Sequence, residues 1–530
     1  MSRKRPPANK WVVALSVSFG TLMGAIDTSI VNVALSQIRG AVGATVQEIT
    51  WISTGFAIAM VMVMPLTAFL SRLFGQKNVY LACLALFLLG SALCGIAWNL
   101  PSLVLFRALQ GFGAGALQPT EQAILRQTFP PKEQGTAMAL FAMAVMVGPA
   151  LGPTLGGYIV DNLHWSWIFF INLPVGALGM FMVWRFVEEP EDIKAAMRAE
   201  AIKQRKNMDW AGIALLWTAL ISLQYVLEEG QAADWFESQT IVLFTGLTFF
   251  ASIAFVVREL SAPAPAVNLR LFADPGFASG VVVNAAVFAV LMAGMFLLPV
   301  FMQELLGFTA MQSGFALMPR TLVMLVLMPL IGKLYARVHT GLLAGVGLLL
   351  AAIGQFMLSG LTLASGSGQV IGAIIIQGVG MAVMLVPINT VALANVPRHK
   401  LPDATGLSSL MRQIGGSIGI AAFATTLGRY GVIAKDGLRP LINGTRPEVV
   451  QRLARTEGGL MARGLDAAHA HAMALRGLSG LITREGMVLA FEKLFVLGGL
   501  MFLVTLPLLA MLKKPKIAAA QGPTHVELEG

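Results

Sequence analysis

Charge is scarce in this sequence. Asp, Glu, Lys and Arg make up 12% of the 530 residues and hydrophobic residues 56%, whereas soluble domains carry about 25% charged residues. That shortage excludes an ordinary soluble enzyme. Cysteine is nearly absent: Cys83 and Cys94 stand in one apolar stretch, too far apart along a single helix at about 1.5 Å per residue to bridge, and read as small packing residues. The six histidines, His164, His339, His399, His469, His471 and His525, fall in loops or the tail, so neither a metal site nor a catalytic His-Cys constellation is expected within the apolar runs. A GxxxxGK[ST] phosphate loop is missing, which argues against ATP hydrolysis by this chain. Gly111-Phe112-Gly113-Ala114-Gly115 lies in an apolar run with no strand before it, so no dinucleotide or other cofactor is expected. Asn443-Gly444-Thr445 matches a glycosylation triplet that is common by chance.

What the chain has instead is long apolar runs, together with 55 glycines and 28 methionines. Glycine permits close helix contact in a bilayer and methionine fills irregular space. A span needs about 20 mostly apolar residues. Such runs lie at 12–34, 50–70, 78–98, 102–124, 137–160, 166–185, 209–228, 239–257, 278–301, 313–332, 341–362, 368–394, 404–428 and 487–512. The expected fold class is an all-α polytopic membrane protein with 14 transmembrane helices. Arg3, Lys4, Arg5 and Lys10 precede the first run, which is too long for a signal-peptide core and contains Asp27, so it reads as a retained helix.

The net charge of +10 reflects topology rather than a nucleic-acid surface. With the amino terminus placed in the cytoplasm, the inner segments hold nearly all the loop Lys and Arg, whereas the short outer loops hold only Arg39, as the positive-inside rule requires. Both termini are then cytoplasmic. The outer segment 429–485 carries nine basic residues but approaches the length at which that rule stops applying; it contains helix-like runs near 447–462 and 464–478.

The chain also repeats itself. Pro65-Leu66-Thr67-Ala68-Phe69-Leu70 recurs as Pro329-Leu330-Ile331-Gly332-Lys333-Leu334, an offset of 264. Gln110-Gly111-Phe112-Gly113, with Pro119 beyond, recurs as Gln377-Gly378-Val379-Gly380, with Pro387 beyond, an offset of 267. Two matches at nearly one offset predict two homologous six-helix bundles separated by two inserted helices. Halves related about the membrane normal are an architecture of secondary transporters. The expected organisation is a cytoplasmic segment 1–10, a first bundle 11–186, a linker 187–208, the inserted pair 209–258, a second bundle 259–512 that includes a periplasmic loop 429–485, and a cytoplasmic tail 513–530.

Charges inside a membrane are costly, so each is a functional candidate. Asp27 and Arg107 fall at similar depth: one lies roughly 6 Å below the outer edge of a core about 30 Å thick and the other roughly 7 Å from the outer end of its helix. Together they form either a proton-handling pair or a static pair that sets helix register. Glu121, a turn or so from Arg126, reads as a solvated helix-end carboxylate, with a second protonatable or cation-attracting group as the alternative. Arg320 and Arg412 suit an anionic substrate group or an acidic partner. With Asn32, Gln110 and Gln377, these three residues make up the candidate substrate cavity. Glu228 and Glu304 read as water-facing. The fifth run carries Gly148-Pro149-Ala150-Leu151-Gly152-Pro153-Thr154-Leu155-Gly156-Gly157; small residues four apart admit another backbone and the prolines permit a bend.

These residues resemble the major facilitator superfamily. Arg107-Ala108-Leu109-Gln110-Gly111 resembles its fourth-helix signature, and Gly148-Pro149 through Gly156-Gly157 its antiporter signature. Asp27-Thr28-Ser29-Ile30-Val31-Asn32-Val33-Ala34-Leu35 and His164-Trp165-Ser166-Trp167-Ile168-Phe169-Phe170-Ile171-Asn172-Leu173-Pro174-Val175-Gly176 resemble motifs of its fourteen-helix drug:proton antiporters. Asp234-Trp235-Phe236, Leu271-Phe272 and Arg412-Gln413-Ile414-Gly415-Gly416-Ser417-Ile418-Gly419 are similar to the same branch. The likeness runs over roughly residues 11–512.

The resemblance implies the major facilitator fold and a proton-coupled antiporter of the bacterial inner membrane, exporting small hydrophobic or amphipathic compounds. It further implies a tripartite efflux system with an EmrA-like periplasmic adaptor and a TolC-like outer-membrane channel. Asp27 would take part in proton coupling, Arg107 would support it, and Gly148, Pro149, Gly152, Pro153, Gly156 and Gly157 would form the switching helix. One motif departs. Where the superfamily has Gly-x-x-x-Asp-Arg-x-Gly-Arg-Lys, this chain has Ala68, Arg72, Leu73, Gly75, Gln76 and Lys77, which puts the usual charge lock between the halves in doubt. The alternatives are a same-fold exporter of one metabolite, fatty acid or siderophore, and a non-transporting membrane sensor or scaffold.

Overall fold

The computed structural model describes residues 9–206, 209–442 and 446–511, and every regular element among them is helical. The first six spans are α1 (Lys10–Val42), α2 (Gln47–Phe74), α3 (Gln76–Gly95), α4 (Leu100–Thr128), α5 (Gln134–Asn162) and α6 (Trp167–Phe186). A polar helix α7 (Glu191–Lys206) follows, then the pair α8 (Trp210–Glu229) and α9 (Gln239–Ser261). The second set is α10 (Pro275–Leu305), α11 (Ala310–Leu334), α12 (Thr340–Ser359), α13 (Ser367–Ala392) and α14 (Leu401–Leu438). A short helix α15 (Pro447–Met461) precedes the last span, α16 (Ala467–Thr505).

Thirteen of the described helices are long and apolar enough to cross a membrane. The fourteenth place is taken by α5, whose 29 residues would reach roughly 43 Å and hold no charge before Asp161. Local chemistry explains several boundaries. Thr45 and Glu48 form a capping box that opens α2, and Thr309 and Gln312 form one that opens α11; the two boxes are again 264 positions apart. Gly43 leaves α1 with φ 66°, a conformation that costs glycine nothing. A tight turn at Met64–Leu66 interrupts α2 at Pro65, and α4 breaks at Ala116.

Packing repeats the same symmetry. In the first set α1 packs on α5 and α6, and α4 on α2 and α3; in the second α10 packs on α14, α13 on α11 and α12, and α16 on α12. Equivalent close approaches recur. A side chain at Gly90 would meet the Gln110 backbone at 2.7 Å, and one at Gly354 the Gln377 backbone at 2.7 Å. Between the halves α5 lies against α11, and α2 against α14. The inserted α8 covers the α2–α14 side: Trp217 Nε1 donates to the Met62 carbonyl at 3.1 Å, and Gln224 Nε2 to Ser417 Oγ at 3.1 Å.

The segment expected as an outer loop at 429–485 is largely helical. The spans flanking it run on beyond the apolar core, α14 to Leu438 and α16 from Ala467, with α15 packed on α16. Polar residues there retain helical spacing, so hydropathy marks where the apolar core stops and not where the helix does. The segments 1–8 and 512–530 and the triplet Asn443-Gly444-Thr445 lie outside the described residues.

Candidate functional site

The first cluster forms around Asp27, half-way along α1 and fully buried. Arg107 of α4, 1% exposed, approaches Asp27 Oδ2 through Nη1 at 2.6 Å. Asp27 Oδ1 accepts from Gln110 Nε2 at 2.9 Å and from Asn172 Nδ2 of α6 at 2.9 Å. Arg107 Nη1 also donates to Gln110 Oε1 at 2.7 Å, and its guanidinium stacks over Phe56 of α2, 4.2 Å from the ring centroid. Asn172 donates in turn to Ser91 Oγ of α3 at 3.0 Å. Five helices of one half therefore converge on a single carboxylate. Burying two charges costs several kcal/mol each unless they pair and their remaining positions are bonded, and here each oxygen of Asp27 is engaged.

Gln110, expected on a cavity wall, is a member of this network, fully buried with both amide atoms bonded to the pair. Asn172 and Ser91 were not among the residues expected from sequence. Asn172 stands inside the sixth-helix motif quoted for its resemblance, but an Asn in an apolar run gives no sign of which carboxylate it will meet.

The small residues of α5 lie against the turn of α1 that bears Asp27. A side chain added at Gly148 would strike the Ala25 backbone, one at Gly152 would strike Ser29, and Gly156 faces Ile30 and Val33 at 3.4 Å. Asp27 sits between Ala25 and Ser29. Gly157 has nothing within 4 Å and stands outside this contact, because it is turned a quarter of a helix away from Gly156. The side chains of Pro149 and Pro153 lie outside the described ones. In the second half Gly415 and Gly419 of α14 meet the backbones of Ala285 and Ala289 of α10 in the equivalent place.

The remaining candidates occupy different surroundings. Glu121 is not a solvated helix-end carboxylate: it is fully buried and accepts from Ser18 Oγ of α1 at 2.8 Å. The reason is tertiary. After the break at Ala116, the last part of α4 packs against α1, α5 and α14, and water is excluded from a stretch that sequence reads as a polar end. Arg412, 4% exposed, reaches across the halves to Gln118 Oε1 at 3.0 Å. Arg320, 4% exposed, donates to Gln377 Oε1 at 3.4 Å. Asn32 is exposed and accepts from Ser53 Oγ at 3.3 Å. Glu228 and Glu304 are exposed.

At the end of the bundle where α1 begins and α16 ends, the halves are bonded together. Arg72 meets Asp403 at 2.9 Å. Arg126 Nη2 donates to the Leu393 carbonyl at 2.6 Å, and Arg398 Nη2 to the Gln127 carbonyl at 2.6 Å. Gly135 of α5 and Gly332 of α11 face each other, a side chain at Gly135 meeting the Gly332 carbonyl at 2.6 Å. An ion pair thus joins the halves at the motif whose departure put such a lock in doubt.

The model of the Major Facilitator Superfamily matches residues 17–420. The fatty acid resistance protein FarB of Neisseria gonorrhoeae is 33% identical over 504 residues, covering 95% of this chain and 96% of that protein. The multidrug export protein EmrB of Escherichia coli (strain K12) is 30% identical over 513 residues, covering 96% and 97%. EmrB is also the relative to which the helix motifs pointed within the fourteen-helix branch. Among solved structures the chain is similar in fold to the proton:xylose symporter XylE, with TM-score 0.60 and 13% identity over 95% of this chain and 99% of that one. It is similar likewise to the human organic anion transporter MFSD10, with TM-score 0.59 and 15% identity over 94% and 100%.

Proposed function

The chain belongs to the Major Facilitator Superfamily and is a transporter of its efflux branch, and we propose that it exports hydrophobic and amphipathic drugs in exchange for protons. The observation that carries this reading is the buried Asp27–Arg107 pair beneath the small-residue face of α5. Sliding α5 along α1 displaces the turn that holds Asp27. Once parted from Arg107, a buried carboxylate is strongly disfavoured as an anion, and a proton neutralises it. Return of Arg107 expels that proton. Coupling at one such site is energetically sufficient: a charge crossing 100 mV is worth about 2.3 kcal/mol, which sustains roughly a 50-fold gradient at 1.4 kcal/mol per tenfold.

The multi-pass chain resides in the bacterial inner membrane with both termini cytoplasmic, as the distribution of Lys and Arg supports. The bonded end of the bundle is then cytoplasmic, and the described arrangement is closed toward the cell interior. The helical extension formed by α15 and the beginning of α16 projects into the periplasm, where it docks an EmrA-like adaptor that leads to a TolC-like channel. The lipid bilayer, protons and small apolar substrates are the other partners, and the substrates cross between the two bundles.

The test is uptake of a lipophilic cationic dye and an acidic uncoupler into proteoliposomes under an imposed pH gradient, comparing wild type with Asp27→Asn. Gradient-driven uptake that the variant loses supports the reading. Equal uptake by folded Asp27→Asn removes Asp27 from coupling.

A further inference from the structure

Asp27 is not the only carboxylate of the spans that is shut away from water. Glu121 is fully buried and bonds to Ser18. Ser18 lies nine residues before Asp27 on α1, which puts Glu121 roughly 13 Å nearer the bonded end. The two acids are held differently. Both oxygens of Asp27 accept hydrogen bonds and Arg107 touches one of them, with every partner in the first half. Glu121 has one donor, Ser18 Oγ on Oε1, while its Oε2 is buried without a partner. The charge that acts on it through space, Arg412, belongs to the second half. Arg412 Nη2 donates at 3.0 Å to Gln118, one turn before Glu121 on α4, and its Nη1 is likewise buried without a partner. Idle donor and idle acceptor form no ion pair among the described residues. Two opposite full charges in a dry interior would gain most by closing to contact. A cation beside a neutral acid gains far less. Arg412 is held instead by the rings of Phe141 and Phe288, 5.3 and 5.1 Å from their centroids, a setting that suits a guanidinium without a carboxylate partner.

We propose that Glu121 is a second proton carrier of the exchange, with Arg412 of the opposite half as its counter-charge, so that its protonation follows the parting and closing of the halves. The other helices packed on Glu121 bring no further free charge. Tyr80 of α3 faces it, but that hydroxyl donates to the Val17 carbonyl and accepts from the Gly20 N–H. On α1, Lys10 pairs with Glu133 and Asp27 with Arg107, and α5 has no charge before Asp161. When the bonded end opens, Arg412 leaves with the second half and water reaches Glu121. The Oε2–H bond then breaks and the proton passes to that water. The end closes on the resulting anion only by bringing it against Arg412 Nη1, because an unpaired buried carboxylate is too costly. A proton arriving from the outer side neutralises Oε2 and parts the two, which is the arrangement described. Thr21 Oγ, buried and without a partner, lies on α1 between the two acids.

The source and destination of the proton rest on the export reading above, but titration of Glu121 does not, and the two are measured separately. Infrared difference spectra of the purified full-length protein between pH 5 and pH 9 are expected to show a buried carboxylic acid C=O band. Glu121→Gln removes that band, Asp27→Asn retains it, and Arg412→Gln moves the pH at which it disappears. A spectrum of folded Glu121→Gln that matches wild type overturns the assignment, as does an unmoved titration in folded Arg412→Gln. Transport gives the proton count. In proteoliposomes with the membrane potential clamped at zero, a tenfold proton gradient sustains about a tenfold ethidium gradient if one proton is exchanged and about 100-fold if two are. Wild type is expected near the higher figure and Glu121→Gln near the lower, with exchange at Asp27 intact. About tenfold in both overturns the assignment and leaves the export reading standing. A Glu121 band in a protein that takes up neither ethidium nor the acidic uncoupler leaves the titrating site standing and overturns the export reading.

Discussion

Arg72 Nη1 lies 2.9 Å from both carboxylate oxygens of Asp403, joining the end of α2 to the first turn of α14 across the two halves. Arg72 stands where the superfamily motif has its Asp, so an ion pair joins the halves there with its cation on α2. Asp403 also sits at the amino-terminal end of its helix, where the backbone dipole favours an anion. Side-chain exposure of 9% and 4% places the pair where removing one partner costs about 3 to 5 kcal/mol. Arg72→Asp is therefore expected to open the bonded end, read as faster maleimide labelling of Thr405→Cys in a background with Cys83 and Cys94 replaced by serine. Adding Asp403→Arg should slow labelling again. Equal labelling of single and double variants would show that the pair does not hold the halves.

Removing Arg107 should cost more than removing the whole pair. Arg107→Gln leaves the Asp27 carboxylate buried with only Gln110 and Asn172 as donors, a loss of about 3 to 5 kcal/mol that lowers the thermal midpoint. Arg107→Gln combined with Asp27→Asn should recover most of that midpoint while gradient-driven uptake stays absent. Recovery of uptake in the double variant would place coupling elsewhere.

Gly152 admits Ser29 of α1 so closely that no side chain fits without a backbone shift. Gly152→Leu should separate α5 from α1, with an overpacking cost of about 1 to 3 kcal/mol, and abolish gradient-driven uptake. Gly157→Ala, with open space around it, should leave uptake unchanged. A matching loss in both would mean that the contact with the Asp27 turn is not what matters.

The α15–α16 extension should serve cells and not vesicles. Deleting residues 447–466 is expected to spare uptake into proteoliposomes while removing drug resistance in cells that contain the adaptor and channel. Unchanged resistance would count against docking there.

Asp466 caps the first turn of α16, and the backbone N–H of His469 holds its carboxyl below the usual range. A depressed carboxylate stabilises the fold above its unfolded value of about 3.9 and ceases to do so as pH falls through the lower folded value. Between pH 8 and pH 5 the cap is thus intact, and tryptic cleavage at Arg463, taken relative to that of an unfolded peptide at each pH, should hold one ratio across that range. A ratio that rises toward pH 5 would show that another group governs the extension.

Much of this protein was legible without coordinates. Apolar length determined the spans, because a bilayer admits few alternatives to a helix, and the two offsets of 264 and 267 foretold packing that recurs at Gly90 with Gln110 and at Gly354 with Gln377. That Asp27 and Arg107 share a level followed from depth, since each helix rises by a constant amount per residue. What sequence could not supply was lateral position and neighbours. Glu121 looked solvated because hydropathy is local, yet its burial depends on helices brought against it from both halves. Gln110 and Asn172 became partners of one carboxylate only when α1, α4 and α6 converged. Arg72 and Asp403, 331 positions apart, formed a lock only because the fold brings the end of α2 to the start of α14; an ion pair depends on distance in space, which the order of residues along the chain does not contain.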